Sequence, residues 1–197
     1  MKLYRSDMQP HEIDNCIASM KIYVDSREHP SEEYTRRCDS FGVPYERKHL
    51  DYGDYTYSFT LPDGKEVYNS EPICGAAVIE RKMSLTELSG NLCQEHDRFI
   101  REMERAKDHN ASIYLIVEDG TWEKIINHKY RTQFNEKAYL RRLLGLIARY
   151  GVVVVFVQKE LSGRMIREIL EKELRVRLER GEYDNDISEE VKAENDK

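Results

Sequence analysis

Two unbroken apolar runs, SIYLIV at 112–117 and VVVVFV at 152–157, interrupt a chain whose apolar residues otherwise recur at helical or alternating spacing. Such runs, bounded by Gly and charged residues, predict strands buried on both faces of a sheet. Around them the pattern alternates. A strand is predicted over 21–25, then a helix opened by Ser31 as N-cap with Glu32 and Glu33 in its first turn, stopping at Gly42. Strands follow over 43–50 and 55–61, with Pro62-Asp63-Gly64-Lys65 as a hairpin turn and 66–69 returning. After a loop at 70–75 comes a strand over 76–82, then helical stretches over 84–92 and 96–106, the latter with Phe99, Ile100, Met103 and Ala106 on one stripe. A short helix over 121–127, a basic loop over 129–134 and an amphipathic helix over 136–150 precede the second apolar run. That helix points Leu140, Leu143, Leu144, Ile147 and Ala148 inward. A last helix spans 162–180.

Strands separated by helices imply an α/β protein with a mixed central sheet flanked by helices. The expected divisions are a leader at 1–20 with one helical turn near Pro10–Ala18, a folded body at 21–180, and an acidic, disordered tail at 181–197. The tail holds seven acids against two lysines, so the body is close to neutral although the whole chain carries −6. Net charge therefore neither favours nor excludes nucleic acid. With 197 residues the chain is long enough for a full core. No apolar run approaches the roughly 20 residues of a membrane span, and the first residues lack the apolar centre of a signal peptide. Cys16, Cys38, Cys74 and Cys93 are scattered with no Cys-x-x-Cys pair, so they read as core or surface thiols of a cytoplasmic protein. The six histidines show no metal-ligand spacing; His96, His109 and His128 read as surface residues.

The chemistry concentrates where strands end in charge. Val78-Ile79-Glu80-Arg81-Lys82 runs from an apolar strand into an acid, a guanidinium and an amine, and strand alternation puts Glu80 and Lys82 on one face and Arg81 on the other. Gly53-Asp54 offers a second acid at a bend. Ile22-Tyr23-Val24-Asp25-Ser26-Arg27-Glu28 is another apolar strand entering charge. Taken singly, Glu-Arg-Lys is common on solvated helices, Asp54 suits a turn, and Asp25 suits a helix cap. Together, acids at several strand ends fit a divalent metal with an attacking water. Asp25, Asp54 and Glu80 are the candidate ligands. Lys82 would orient or deprotonate the water or stabilise developing charge, and Arg27 and Arg81 would clamp phosphate.

Gly53-Asp54 followed by Glu80-Arg81-Lys82 resembles the GDx(n)ERK signature of the ERCC4-type, XPF-like nucleases. Val24-Asp25-Ser26-Arg27-Glu28 is similar to that family's V-D-x-R-E segment, residues 84–92 to its S-x-x-D-L-x-G-S-L stretch, and the helix bearing Arg98-Phe99, Glu102, Arg105 and Ala106 to its R-F-x-x-E-x-x-R-A pattern. The resemblance covers about residues 21–170. It implies a restriction-endonuclease-like, PD-(D/E)XK core and a Mg2+- or Mn2+-dependent endonuclease acting on branched, flapped or forked DNA in repair, recombination or phage replication. On it, Asp25, Asp54 and Glu80 bind metal, Lys82 serves the water, Arg27 and Arg81 support the site, and Glu28 and Glu87 brace it. Arg98, Lys129 and Arg131 are candidate DNA contacts. Residues 139–150 and the last helix are candidate faces for a homodimer.

Three departures accompany the likeness. The interval between Asp54 and Glu80 is long and holds the 62–65 turn. Met83 stands as an insertion after Glu-Arg-Lys, with Glu87 where the family has Asp. No paired helix-hairpin-helix region follows residue 170, so the resemblance is to compact bacterial and phage members. The competing expectation is a non-catalytic ERCC4 module that binds DNA junctions beside a partner. A third is an interaction factor working through the acidic tail. Retention of Asp25, Asp54, Glu80 and Lys82 together favours catalysis.

Overall fold

The computed structural model describes residues 6–67 and 72–187. In chain order its main elements are α1 (Pro10–Ala18), β1 (Lys21–Asp25), α2 (Glu32–Asp39), β2 (Tyr45–Lys48), β3 (Tyr55–Thr60), β4 (Glu66–Val67), β5 (Ala77–Lys82), α3 (Leu85–Cys93), α4 (His96–Asp108), β6 (Ser112–Glu118), α5 (Trp122–Ile126), α6 (Glu136–Tyr150), β7 (Val153–Val157) and α7 (Ser162–Glu179). The expected order of strands and helices is the order found.

Helix starts follow side-chain chemistry. Ser31, Ser84, Thr121 and Asn135 each accept a backbone N–H of the first turn they precede, satisfying donors a helix leaves open. Gly151 closes α6 at φ +70°, a left-handed conformation that costs glycine least.

The sheet runs β2-β1-β3-β5-β6-β7, with β4 folded onto β3. β1 pairs with β2 in parallel and with β3 antiparallel; β3 meets β5 antiparallel, and β5, β6 and β7 are parallel. The sheet is therefore mixed, as expected. Its alternating side chains feed two cores. Ala77, Ile79 and Ile116 face α1, α2 and α7, whereas Val78, Leu115 and Val117 face α3, α4 and α6. Along α7, Ile166, Leu170, Leu174 and Leu178 are wholly buried at helical spacing, each contributing about 1.5–3 kcal/mol of burial. A Cβ on Gly163 would lie 2.3 Å from the Arg37 carbonyl oxygen, so this glycine lets α7 approach α2.

Several expectations are corrected. The run at 152–157 is not buried on both faces: β7 is an edge strand beyond β6, and Val153 is 47% exposed. In α6 the inward positions are Tyr139, Leu143 and Leu146, while Leu144 and Ala148 are exposed, because the helix turns its Tyr139 edge toward the sheet. The segment expected to be a leader forms a nine-residue helix whose Ile13 and Cys16, with Met8 and Met20, belong to the α7-side core. The start of the expected acidic tail is likewise structural. Tyr183 and Ile187 are buried, the Tyr183 ring lies 5.0 Å from Phe59, and Asp184 accepts the Ser6 hydroxyl at 2.8 Å. The rest of that tail, and part of the strand expected at 66–69, lie outside the described residues.

Candidate active site

The site is built on backbone pairing. The Asp25 N–H donates to the Asp54 carbonyl at 2.8 Å, and the Asp54 N–H donates to the Ile79 carbonyl at 2.8 Å. Asp54 is thereby held between the end of β1 and the charged end of β5. Gly53 makes this placement possible. Its φ is +73°, and a Cβ there would stand 3.0 Å from the Val78 Cβ.

Asp54 is partly buried, and its Oδ2 accepts the Arg81 backbone N–H at 2.7 Å. Burial first, and the neighbouring Glu80 second, drive its carboxyl well above the usual carboxylate range, against the pull of Lys82. Glu80 and Lys82, both buried, meet at 2.6 Å between Oε1 and Nζ, which places them on one face as expected. Burial opposes the Lys82 charge, but Glu80 and Asp54 outweigh it and raise its pKa, so Lys82 is an ammonium at neutral pH. Its Nζ also lies 5.5 Å from the centre of the Phe99 ring.

Asp25 stands differently. Its Oδ1 accepts the Arg27 backbone N–H at 2.8 Å, and its Oδ2 accepts Arg27 Nε at 2.9 Å and Arg27 Nη2. Arg27 also donates to the Leu50 carbonyl at 3.2 Å. The Asp25 carboxylate is thus engaged by a guanidinium. Among the described residues, Asp25, Asp54 and Glu80 do not form a set whose ligand atoms all lie within 4.8 Å; the set that does is Asp51, Cys74 and His109. Asp25, Asp54 and Glu80 thus stand at adjoining strand ends, with the Asp25 carboxylate paired to Arg27.

Arg81 points to the opposite face, 11% exposed, with Nη1 3.1 Å from Glu118 and Nη2 3.7 Å from Glu28. Two acids engage it, an arrangement that suits support of the site. Glu28 also pairs with Arg37 at 3.0 Å and accepts the Tyr55 hydroxyl at 3.2 Å. Glu87 accepts the Met83 N–H at 2.8 Å while its own N–H donates to Ser84 at 3.1 Å, fixing the turn from β5 into α3.

Of the expected DNA contacts, Arg98 is 67% exposed beside Glu95 and Glu102, and Lys129 is 61% exposed beside Glu123. Arg131 is exposed, and its backbone N–H donates to Thr86 at 3.2 Å. The loop bearing Lys129 and Arg131 is further tied to α3 by Thr132 and Ser89 at 2.8 Å, on the helix that follows Lys82.

Glu102 and Glu118 are additions that sequence reasoning did not single out. Glu102 is buried, within 4.0 Å of Arg27 and 3.9 Å of Arg98; burial, then Glu80, raise its pKa. Its place in the Arg-Phe-x-x-Glu pattern was the available signal. Glu118 shows none, because it reads as the polar end of an apolar strand.

A mixed sheet between two helical layers, with acids and a lysine gathered at adjoining strand ends, defines a nuclease-type α/β domain. The ERCC4 domain model matches residues 24–169. The chain belongs to that family, a nuclease-type DNA-processing domain on a restriction-endonuclease-like fold. Among solved structures it is similar to XPF from Aeropyrum pernix, with 21% identity and a TM-score of 0.55, covering 79% of this chain and 65% of that one. This likeness bears on the fold. A search of the curated proteins finds no match. No helix among the described residues is long and apolar enough to cross a membrane.

Proposed function

We propose that this domain is a metal-dependent endonuclease that hydrolyses DNA phosphodiester bonds, selective for branched, flapped or forked DNA. The observation that carries this reading is the gathering of the Asp54 and Glu80 carboxyl groups and the Lys82 ammonium at adjoining strand ends. Glu80 Oε1 lies 2.6 Å from Lys82 Nζ, and burial first, Glu80 second, lift the Asp54 carboxyl. Hard oxygen donors in that state fit Mg2+ or Mn2+, which binds through one or two carboxylates and keeps several waters. Asp54 and Glu80 would hold the ion, which supplies charge neutralisation at phosphorus and an activated water. Lys82 presents a fixed positive charge to the scissile phosphate or its water. Arg27 neutralises Asp25 and keeps it from repelling the phosphate, while Arg98, Lys129 and Arg131 attract the DNA backbone.

A second reading has its own support. Engagement of Asp25 by Arg27 leaves the site short of a third acid, which suits an ERCC4 module that binds DNA junctions without cutting. Labelled duplex, flap, fork and four-way-junction DNA incubated with Mg2+, Mn2+ or chelator separates the two. Metal-dependent cutting of a branched form, reduced roughly a hundredfold or more in Asp54→Asn and Glu80→Gln, supports the nuclease. Tight binding with no cutting in either metal supports the module.

A further inference from the structure

Asp51, Cys74 and His109 come from three separate segments, yet one ligand atom from each lies within 4.8 Å of the other two. We propose that they form a binding site for a borderline-soft divalent metal of the zinc class, distinct from the Asp54–Glu80 site. A thiolate, an imidazole nitrogen and a carboxylate are ligands that zinc accepts, and three of them leave a fourth position for water. The thiolate and the carboxylate together balance the two charges of the ion.

The three ligands are held by their surroundings. The Ile73 N–H donates to the His49 carbonyl at 3.0 Å and the Asp51 N–H donates to the Ile73 carbonyl at 3.1 Å, so the stretches carrying Asp51 and Cys74 lie paired side by side. The Tyr52 hydroxyl adds a bond to the Gly75 carbonyl at 3.0 Å. Arg105 ties α4 to the same turn by donating to the Asp51 carbonyl at 2.9 Å. His109 caps α4, and its Nδ1 lies 2.9 Å from the Arg105 carbonyl. A carbonyl accepts only, so that nitrogen carries the proton and Nε2 presents its lone pair. Metal-bound histidines are commonly fixed in this way.

Arg105 is the group that competes for Asp51. Its Nε stands 3.3 Å from Asp51 Oδ2 as an ion pair without hydrogen-bond geometry, a contact that an incoming cation would displace. Asp51 and Cys74 are partly buried and His109 is exposed, which gives an ion a path from solvent. Position suggests the consequence. Asp51 lies three residues before Asp54, Cys74 precedes the strand that carries Glu80, and His109 closes the helix that carries Glu102. A bound ion would staple the three segments that enter the candidate active site.

The test is titration of the chelator-treated full chain with cobalt(II) alone, followed by absorption, and with Zn2+ alone, followed by melting temperature. The expected result is one equivalent of cobalt with a sulfur-to-cobalt charge-transfer band. That band is lost in Cys74→Ser, at least tenfold weaker in apparent affinity in His109→Asn, and unchanged in Cys93→Ser and in Asp54→Asn. Zn2+ should raise the melting temperature of the parent chain and not that of Cys74→Ser. Absence of the band, its survival in Cys74→Ser, or its loss in Cys93→Ser would overturn the site. An ion bound only by the oxygens of Asp54 and Glu80 gives no sulfur band, so this result is independent of whether DNA is cut.

Discussion

Arg81 offers the sharpest test of how the charged strand end is used. Its guanidinium lies 3.1 Å from Glu118, a carboxylate 1% exposed. At an effective dielectric constant near 20, the Coulomb attraction at that separation is about 5 kcal/mol before desolvation is charged against it. Arg81→Met removes the cation and leaves Glu118 buried without a partner, and Arg37 is the neighbouring guanidinium left to Glu28. Breaking a buried pair from one side costs roughly 3–5 kcal/mol, whereas replacing both partners by apolar groups is close to neutral. Urea denaturation should therefore show Arg81→Met destabilised by about 3–5 kcal/mol, and the double variant Arg81→Met/Glu118→Met should recover most of that loss. A phosphate clamp behaves otherwise. It would leave stability almost unchanged and lower the salt dependence of DNA binding by about one unit of slope. A loss below about 1 kcal/mol in Arg81→Met, or a double variant no more stable than the single one, would refute the structural assignment.

Three further outcomes follow from the geometry. Gly53→Ala forces a side chain into a left-handed backbone 3.0 Å from Val78; it should lower stability by roughly 1–3 kcal/mol and, by displacing Asp54, weaken metal-dependent DNA cutting as well. Tyr183→Ala removes a buried ring packed on Phe59; a loss of about 3–5 kcal/mol in chemical denaturation is expected, and no loss would return residues 181–187 to the status of a tail. Burial first, and Glu12 second, push the Cys16 thiol up to about 11. Between pH 9 and 11 the unfolded chain gives up a proton that the folded chain keeps, so this contribution is complete below pH 9 and fades as pH rises toward 11. Cys16→Ala should flatten that part of the stability profile, and at pH 8 a thiol reagent should modify Cys74 and Cys93 well before Cys16 or Cys38.

Elements set by local signals were legible in the sequence. Ser31 announced a helix start, because a cap bonds within its own turn and needs no knowledge of the rest of the fold. Burial of whole strands was not. VVVVFV and SIYLIV carry the same apolar character, yet one is at the edge and the other inside, and sheet order is decided by partners distant in sequence. The phase of α6 failed for a related reason: Leu144 and Tyr139 both suit a core, and the choice rests on the Tyr139 hydroxyl reaching the Leu85 carbonyl at 2.8 Å. Tyr183 and Ile187 were hidden by the acids around them, since composition averages over a stretch while packing selects single side chains.

The same division runs through the site. Alternation along β5 is a local rule, and it correctly separated Glu80 and Lys82 from Arg81. What alternation cannot tell is which acids wait on each face. Glu118 meets Arg81 because β5 and β6 pair in parallel with Arg81 opposite Ile116, which brings the residue two further along β6 to the same side. A single strand end therefore serves two purposes. One face locks the sheet through Arg81, Glu28 and Glu118. The other gathers Asp54, Glu80 and Lys82, with Glu80 and Lys82 paired and the Asp54 carboxyl raised by burial and by Glu80. If that separation is real, Arg81→Met/Glu118→Met should retain the Asp54→Asn-sensitive DNA cutting of the parent chain, since neither altered side chain faces Glu80 or Lys82; loss of cutting in a stably folded double variant would show that the two faces act as one site.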